Sequence, residues 1–328
     1  MKCVVVTGPT ATGKTELAAR LADKFNGEII GADSRQIYKG LDIGSGKDLD
    51  EFKQYNPPIP YHLIDQIDPR EDYNLFRYQQ DAVKTVQACH TRSRLPLLVG
   101  GSPLYLTSVL DHYTLEGGSP DPEFRESIKD VDNETLLHDL RNKAPDIYHR
   151  TDKTQRKRIV RALEIAHQRS VSPKEVSHTP AITLDPLIIA PFYPRPVIHD
   201  RIRKRLDKRL AQGMLEEVEY LHNNGLSWER LEFFGLEYRV AALYLQGKLN
   251  YQEFYNTLLQ KIRRLCKSQE VWFRKMEREG KLIYWLPQGD FEKAVQLISD
   301  FLADHPLPSP SFQLQNHHYG PQTNPHVA

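Results

Sequence analysis

An α/β fold, with a parallel sheet covered by helices on both faces, follows from three features of the sequence. Short apolar runs alternate with helical stretches through the first third of the chain, the signature of consecutive βαβ units. The first run, KCVVVT, opens directly into GPTATGKT and then an amphipathic helix, the strand, loop and helix order of a phosphate-binding loop. Three of the runs end in Asp33, in Asp65 and in Gly100 with Gly101, at the carboxyl ends of strands where ligands gather in such sheets.

In chain order, Lys2–Thr7 reads as the first strand and Lys14–Phe25 as the helix after the loop. GEIIGAD and YHLID supply two further strands, Leu75–Cys89 a helix, and LPLLVGG the next strand. The composition then changes: EGGSPDPE is a boundary-like loop, and Glu123–Gln168 read as several helices with few strand signals. TLDPLIIAPFY, Thr183–Tyr193, looks like a strand returning to the sheet. Residues 117–182 are therefore expected to form an inserted helical subdomain between a core of 1–116 and a return to it over 183–304.

From Pro196 helices resume, and Ile198, Ile202, Leu206 and Leu210 recur at i+4 spacing as a core stripe amid arginines and lysines. Further helices reach about Lys275. KLIYWLP then reads as the last strand, and Asp290–Leu302 as the last helix. Residues 305–328 are rich in Pro, Gln, Asn and His without periodicity and are expected to be a disordered tail, its His317–His318 pair included.

Composition excludes several classes. Hydrophobic residues at 39% and charged residues at 27% fit a soluble globular chain, and no apolar run is long enough to span a bilayer or laid out as a signal peptide. Cys3, Cys89 and Cys266 are far apart, with no CxxC pair, so neither a disulfide framework nor a structural zinc is expected, and a reducing cytoplasm is the expected location. The net charge of +1 is uninformative, but its distribution is not. KTQRKRIVR carries five basic residues, Arg195–Arg209 seven, and KIRRLCK adds a third cluster. Solvated helix faces and a polyanion footprint explain such clusters about equally well.

The loop has a direct chemical reading. Gly8 and Gly13 let backbone N–H groups wrap around phosphate oxygens, with Thr10, Ala11 and Thr12 between them. Lys14 adds a point charge, and the Thr15 hydroxyl can ligate Mg²⁺. A di- or triphosphate ligand and a P-loop NTPase-like core are the expectation.

After the second strand comes DSRQIYKGLDIGSGK, Asp33–Lys47, and here the chain resembles the tRNA dimethylallyltransferase family, which joins GPTASGKT-like and DSxQxYxxxDIGTAK-like stretches. The resemblance continues through IDQIDP, LLVGGSPLYL, RIVRALEI, RPVIHDRI and VWFRK, and covers about residues 1–275. It implies transfer of a dimethylallyl group from its diphosphate, with Mg²⁺, to N6 of the adenosine just 3′ of the anticodon, in a protein that is by default a monomer. The tRNA anticodon arm would be the macromolecular partner.

An adenine amine is a poor nucleophile, so attack on an allylic carbon needs a proton acceptor, and Asp33 is the best-placed carboxylate; a metal-organising or capping role is its alternative. The resemblance makes Ser102 the hydroxyl near the diphosphate and Arg239, in Glu237–Tyr238–Arg239, a second diphosphate clamp. Ser34, Arg35, Gln36 and Tyr38 would position the base, although packing explains Tyr38 equally well. Arg156, Arg158, Arg161, Arg263, Lys267 and Gln269 would contact the tRNA. Three positions depart from the family pattern: Glu237 replaces a glycine, Pro103 follows Ser102, and Ser268 stands where a basic residue is usual. The rival readings are an isopentenyltransferase acting on free adenine nucleotides, a small-molecule kinase or NTPase, and a tRNA-binding protein without activity.

Overall fold

The computed structural model describes residues 1–111, 120–171 and 182–317. Part of the boundary loop predicted at 116–123, the end of the insert and His318 onward lie outside the described residues.

Strand β1 (Lys2–Val6) is apolar from Cys3 onward because both of its faces are covered. Cys3 and Val5 point into one core; Val4 and Val6 point into the other. Helix α1 (Lys14–Lys24) follows, then β2 (Gly27–Gly31), the short α2 (Asp50–Lys53), β3 (Tyr61–His62), α3 (Leu75–Thr91), β4 (Leu95–Val99) and α4 (Pro103–Leu110). The insert holds α5 (Pro122–Ser127), α6 (Asn133–Lys143), α7 (Pro145–Arg150) and α8 (Arg156–Val171), packed around a core of their own that includes Leu140, Ile147, Ile159 and Leu163.

The chain returns as β5 (Asp185–Phe192) and continues through α9 (Arg195–Ala211), α10 (Met214–Asn223), α11 (Trp228–Phe233), α12 (Leu236–Leu245) and the long α13 (Tyr251–Arg278). Strand β6 (Ile283–Pro287) and α14 (Phe291–Leu302) follow. The predicted parallel sheet is present: among the described residues it has six strands in the order β3-β2-β4-β1-β5-β6, all paired in parallel. Helices α1 and α14 contribute to the core on one face, and α3, α4, α9 and α13 to the core on the other.

This order places the carboxyl end of β4 between those of β2 and β1. At Gly100, just past β4, an added Cβ would lie 2.1 Å from the Ala32 carbonyl oxygen. Only glycine lets the residue before Asp33 come so near the strand that leads to Ser102.

The expectation of a disordered tail is corrected for residues 305–317. Leu314 is buried within a 3₁₀ turn (Leu314–Asn316) that lies against α13. The Glu277 carboxylate accepts hydrogen bonds from the N–H groups of Leu314 (3.0 Å) and Gln315 (2.6 Å) and from Trp285 Nε1 (2.7 Å). Phe312 packs on Phe192, ring centroids 4.7 Å apart. Composition missed this because two apolar side chains and one buried acceptor hold the segment, without periodicity.

Candidate active site

The loop between β1 and α1 is shaped by backbone left-handed at Gly13 (φ +82°) and Ala11 (φ +62°). Thr12 Oγ1 and Lys14 Nζ both donate to the Pro9 carbonyl, at 2.9 and 2.7 Å, which folds the loop over itself. Gly13 stands at the N-cap of α1 and offers no side-chain cap, so the N–H groups of the first turn face the loop, as anion binding requires. Thr15 lies in that turn, half-buried, and its hydroxyl makes no hydrogen bond among the described residues.

Two neighbouring segments lock the loop. Thr7 Oγ1 donates to the Gly100 carbonyl at 2.9 Å. Gln269, buried on α13, accepts from the Thr10 N–H at 2.9 Å and donates to the Gly101 carbonyl at 2.7 Å. The amide of Gln269, expected to contact tRNA, here joins the loop to the β4 end.

Helix α9 lays a row of guanidiniums along the same loop. Arg201 Nε donates to the Ala11 carbonyl (2.8 Å), and Arg205 Nη1 donates to Thr10 Oγ1 (3.2 Å). Arg209, one turn further on, is buried between the Gly44 carbonyl (3.4 Å) and Glu237 (3.6 Å). An added Cβ at Gly46 would collide with the guanidiniums of Arg205 and Arg209, so its bare backbone (φ +66°) is the surface they lie on. Burial, reinforced by Arg205, pulls the Lys14 ammonium down to about 7, with Asp33 opposing. Burial and Arg209 likewise pull Arg205 down to about 10. The crevice is an excess of crowded positive charge, the electrostatic complement of a diphosphate.

Asp33 follows β2. Its Oδ1 accepts the Arg35 N–H at 2.9 Å, and Oδ2 has no partner among the described residues. Ser102, at the N-cap of α4, donates its N–H to the Ala32 carbonyl at 3.4 Å and so stands beside Asp33. The segment after Asp33 is held by buried Lys47, which donates to the Tyr38 carbonyl (2.8 Å), Asp42 (2.6 Å) and Asp65 (2.6 Å). Glu217 of α10 accepts from the N–H groups of Asp42, Ile43 and Gly44, at 3.0, 2.6 and 3.0 Å, and from Tyr238 Oη at 2.7 Å. Gln36 donates to the Gly46 carbonyl at 2.9 Å, and Arg35 lies over the exposed Phe233 ring.

Several predicted residues stand elsewhere. Arg239 is exposed and donates to the Glu232 carbonyl at 3.2 Å. Its neighbour Tyr238 is buried against Glu217, and one helical step of about 100° turns Arg239 outward. The side chains that reach the phosphate loop are instead those of Arg201 and Arg205. Tyr38 is also corrected: it is buried, its ring packs on Phe234 at 4.9 Å, and its hydroxyl accepts the Tyr73 N–H, so it presents no stacking face.

In the insert, Arg156, expected to contact tRNA, donates to the carbonyls of Ile128, Lys129 and Val131. Arg158 pairs with Asp152 (3.0 Å) and Arg161 with Glu164 (2.5 Å). Lys267 is exposed on α13, whereas Arg263 is half-buried, with its Nε unpartnered among the described residues. The sequence reading missed Arg201, Arg205, Arg209 and Glu217. The three arginines were legible as an i+4 row next to the apolar stripe Ile198, Ile202, Leu206. A cavity of about 400 Å³ between the starts of β5 and β6 involves none of these residues.

Comparison with known proteins adds independent information. The family model described as "IPP transferase" matches residues 36–276, and that described as "Isopentenyl transferase" matches residues 1–56. The chain is 44% identical to a protein named tRNA dimethylallyltransferase 1 from Syntrophus aciditrophicus, over 88% of this chain and 94% of the relative. It is 43% identical to one of the same name from Geotalea uraniireducens, over 91% and 97%. The crystal structure of a tRNA isopentenylpyrophosphate transferase from Bacillus halodurans superposes with a TM-score of 0.65 at 30% identity, over 92% of this chain and 96% of that one. A eukaryotic dimethylallyltransferase acting on tRNA shares the fold, with a TM-score of 0.79 at 24% identity, over 94% and 81%.

Proposed function

Because the chain belongs to the IPP transferase family, whose relatives are tRNA-modifying prenyltransferases, we propose that it moves a dimethylallyl group from dimethylallyl diphosphate to N6 of the adenosine 3′ of a tRNA anticodon. The observation that carries this reading is the adjacency of Asp33 to the phosphate loop: the β4 end that holds Ala32 through Ser102 also lies, at Gly101, against Gly8 and Lys14. The crevice thus offers an acceptor for a proton and a cradle for a departing anion.

In the proposed step, N6 bonds to C1 of the dimethylallyl group while the C1–O bond breaks and its electron pair leaves with the diphosphate. Asp33 takes the N6 proton on its unengaged oxygen. The charge gathering on the diphosphate falls on the N–H groups at the start of α1, on Lys14 and on Arg205. The unpartnered Thr15 hydroxyl is a hard oxygen donor that fits Mg²⁺, which when bound would offset the leaving group's charge. Phosphorus is not attacked.

The tRNA base must leave its stack to reach Asp33. Arg35 and the exposed ring of Phe233 lie on that approach, and Lys267 stands on the exposed face of α13. We place the protein in the cytoplasm as a monomer; among the described residues no helix is long and apolar enough to cross a membrane. The match of residues 1–56 to the isopentenyl transferase model covers the phosphate loop and Asp33, the parts that the tRNA and free-nucleotide readings share. The match over 36–276 and the full-length relatives favour tRNA. Incubation with Mg²⁺, labelled dimethylallyl diphosphate and either unmodified tRNA or AMP, followed by mass analysis of nucleosides, separates them. Label on the anticodon-adjacent adenosine is expected, and label on AMP alone would overturn the proposal.

A further inference from the structure

Toward the amino end of β2, away from the crevice, three different donor groups converge. Glu28 lies on β2, His62 ends β3, and Cys89 is on α3 where that helix covers the sheet. Their ligating atoms lie within 4.8 Å of one another. His62 Nε2 is 2.7 Å and Cys89 Sγ 3.5 Å from the same Glu28 oxygen, Oε2. We propose that Glu28, His62 and Cys89 form a binding site for a borderline divalent cation of the zinc type, distinct from the magnesium chemistry of the crevice.

The donor set decides the class of cation. A thiol and an imidazole beside one carboxylate suit zinc or cobalt and disfavour magnesium and calcium, which take oxygen. The three side chains sit on two paired strands and a packed helix, so no loop has to fold to assemble them. Glu28 and Cys89 are buried, whereas the His62 side chain is 29% exposed and gives a cation a way in.

One neighbour competes for the site. Arg92 holds Glu28 through Nη2 (2.6 Å) and Nε (3.2 Å), yet its side chain is 47% exposed and can turn into solvent. On cation binding the Cys89 thiol loses its proton to solvent as the metal–sulfur bond forms. Glu28 and a neutral His62 ring nitrogen donate electron pairs, Arg92 withdraws, and water fills the fourth position. Thiolate and carboxylate together balance the dication, so the site's charge is as well matched as it is with Arg92 in place.

The competitor gives the proposal a specific signature. Anaerobic titration of the full chain with Co²⁺ is expected to produce a sulfur-to-cobalt charge-transfer band together with intense tetrahedral d–d absorption. Arg92→Gln should tighten binding at least tenfold, because the resident cation is gone. His62→Gln, altered at the half-exposed ligand, should weaken it at least tenfold, and Cys89→Ser should abolish the charge-transfer band. A wild-type protein without the band overturns the proposal. So does a band that survives His62→Gln at full affinity, which would place the metal elsewhere, or Arg92→Gln binding no tighter than wild type. Should Cys89→Ser fail to fold, the Arg92 and His62 variants alone decide.

Discussion

Lys14 makes diphosphate binding a proton-coupled event. In the free protein burial and Arg205 hold its ammonium at about 7, against an ordinary value of 10.5. A bound diphosphate supplies the missing counter-charge and returns the group toward its ordinary value. The sign follows: a group with a depressed pKa in the free state and a restored one in the complex takes up a proton on binding, so affinity falls as pH rises above 7. Below pH 6 Lys14 is already charged and contributes no slope. Between pH 7 and 9 the loss is about fiftyfold, or about 2 kcal/mol at roughly 1.4 kcal/mol per tenfold change. At pH 8 the uptake is about 0.9 proton per ligand bound. Calorimetry with a non-reacting thiolo analogue of dimethylallyl diphosphate, in two buffers of different ionisation enthalpy, measures that uptake directly. Lys14→Met, which cannot titrate, serves as the control for the ligand's own ionisation. Zero uptake at pH 8, or the same uptake in Lys14→Met, would refute the reasoning.

The same crowding predicts that Lys14→Met raises the apo protein's melting temperature at pH 6, where the buried ammonium is charged, while weakening diphosphate binding; thermal scans with and without ligand check both halves. Asp33→Ala should abolish transfer in the labelled-nucleoside assay and leave affinity for the thiolo analogue within about threefold; near-normal turnover would remove Asp33 from the acceptor role. Arg205→Ala should lower kcat/KM for dimethylallyl diphosphate at least hundredfold and Arg239→Ala less than threefold, and the reverse ranking would restore the clamp to α12. Gln269→Leu leaves the Thr10 N–H and Gly101 carbonyl unpaired, about 1–3 kcal/mol for each buried group, and should appear in denaturant unfolding as well as in KM.

The sheet was legible because its strands are apolar on both faces and the periodicity of the covering helices is strong. The phosphate loop and Asp33 were legible for a different reason: their chemistry is written in residue type at short spacing. What could not be read was the direction in which a side chain points once its helix has docked. Arg239 and Tyr238 are adjacent in sequence, and only the packing of α12 against α10 decides which is buried. In Arg195–Arg209 the count of cations suggested a surface for RNA, yet burying Ile198, Ile202 and Leu206 turns Arg201 and Arg205 onto the loop and Arg209 onto Gly44 and Glu237. Glu237, a departure from the family pattern in sequence, is the counter-ion of Arg209. Gln269 was assigned by motif to RNA because its partners, Thr10 and Gly101, are remote in sequence.

The Glu277 carboxylate bears on where this protein can be cut. A fragment ended after α14 keeps every strand and every α-helix of the described residues, and by secondary structure alone it looks whole. It would nevertheless lose two of the three donors that Glu277 is given and uncover the aromatic surface beneath Phe312. A truncation that keeps Glu277 solvated as it is here therefore has to retain the chain through Gln315, about a dozen residues beyond the end of α14.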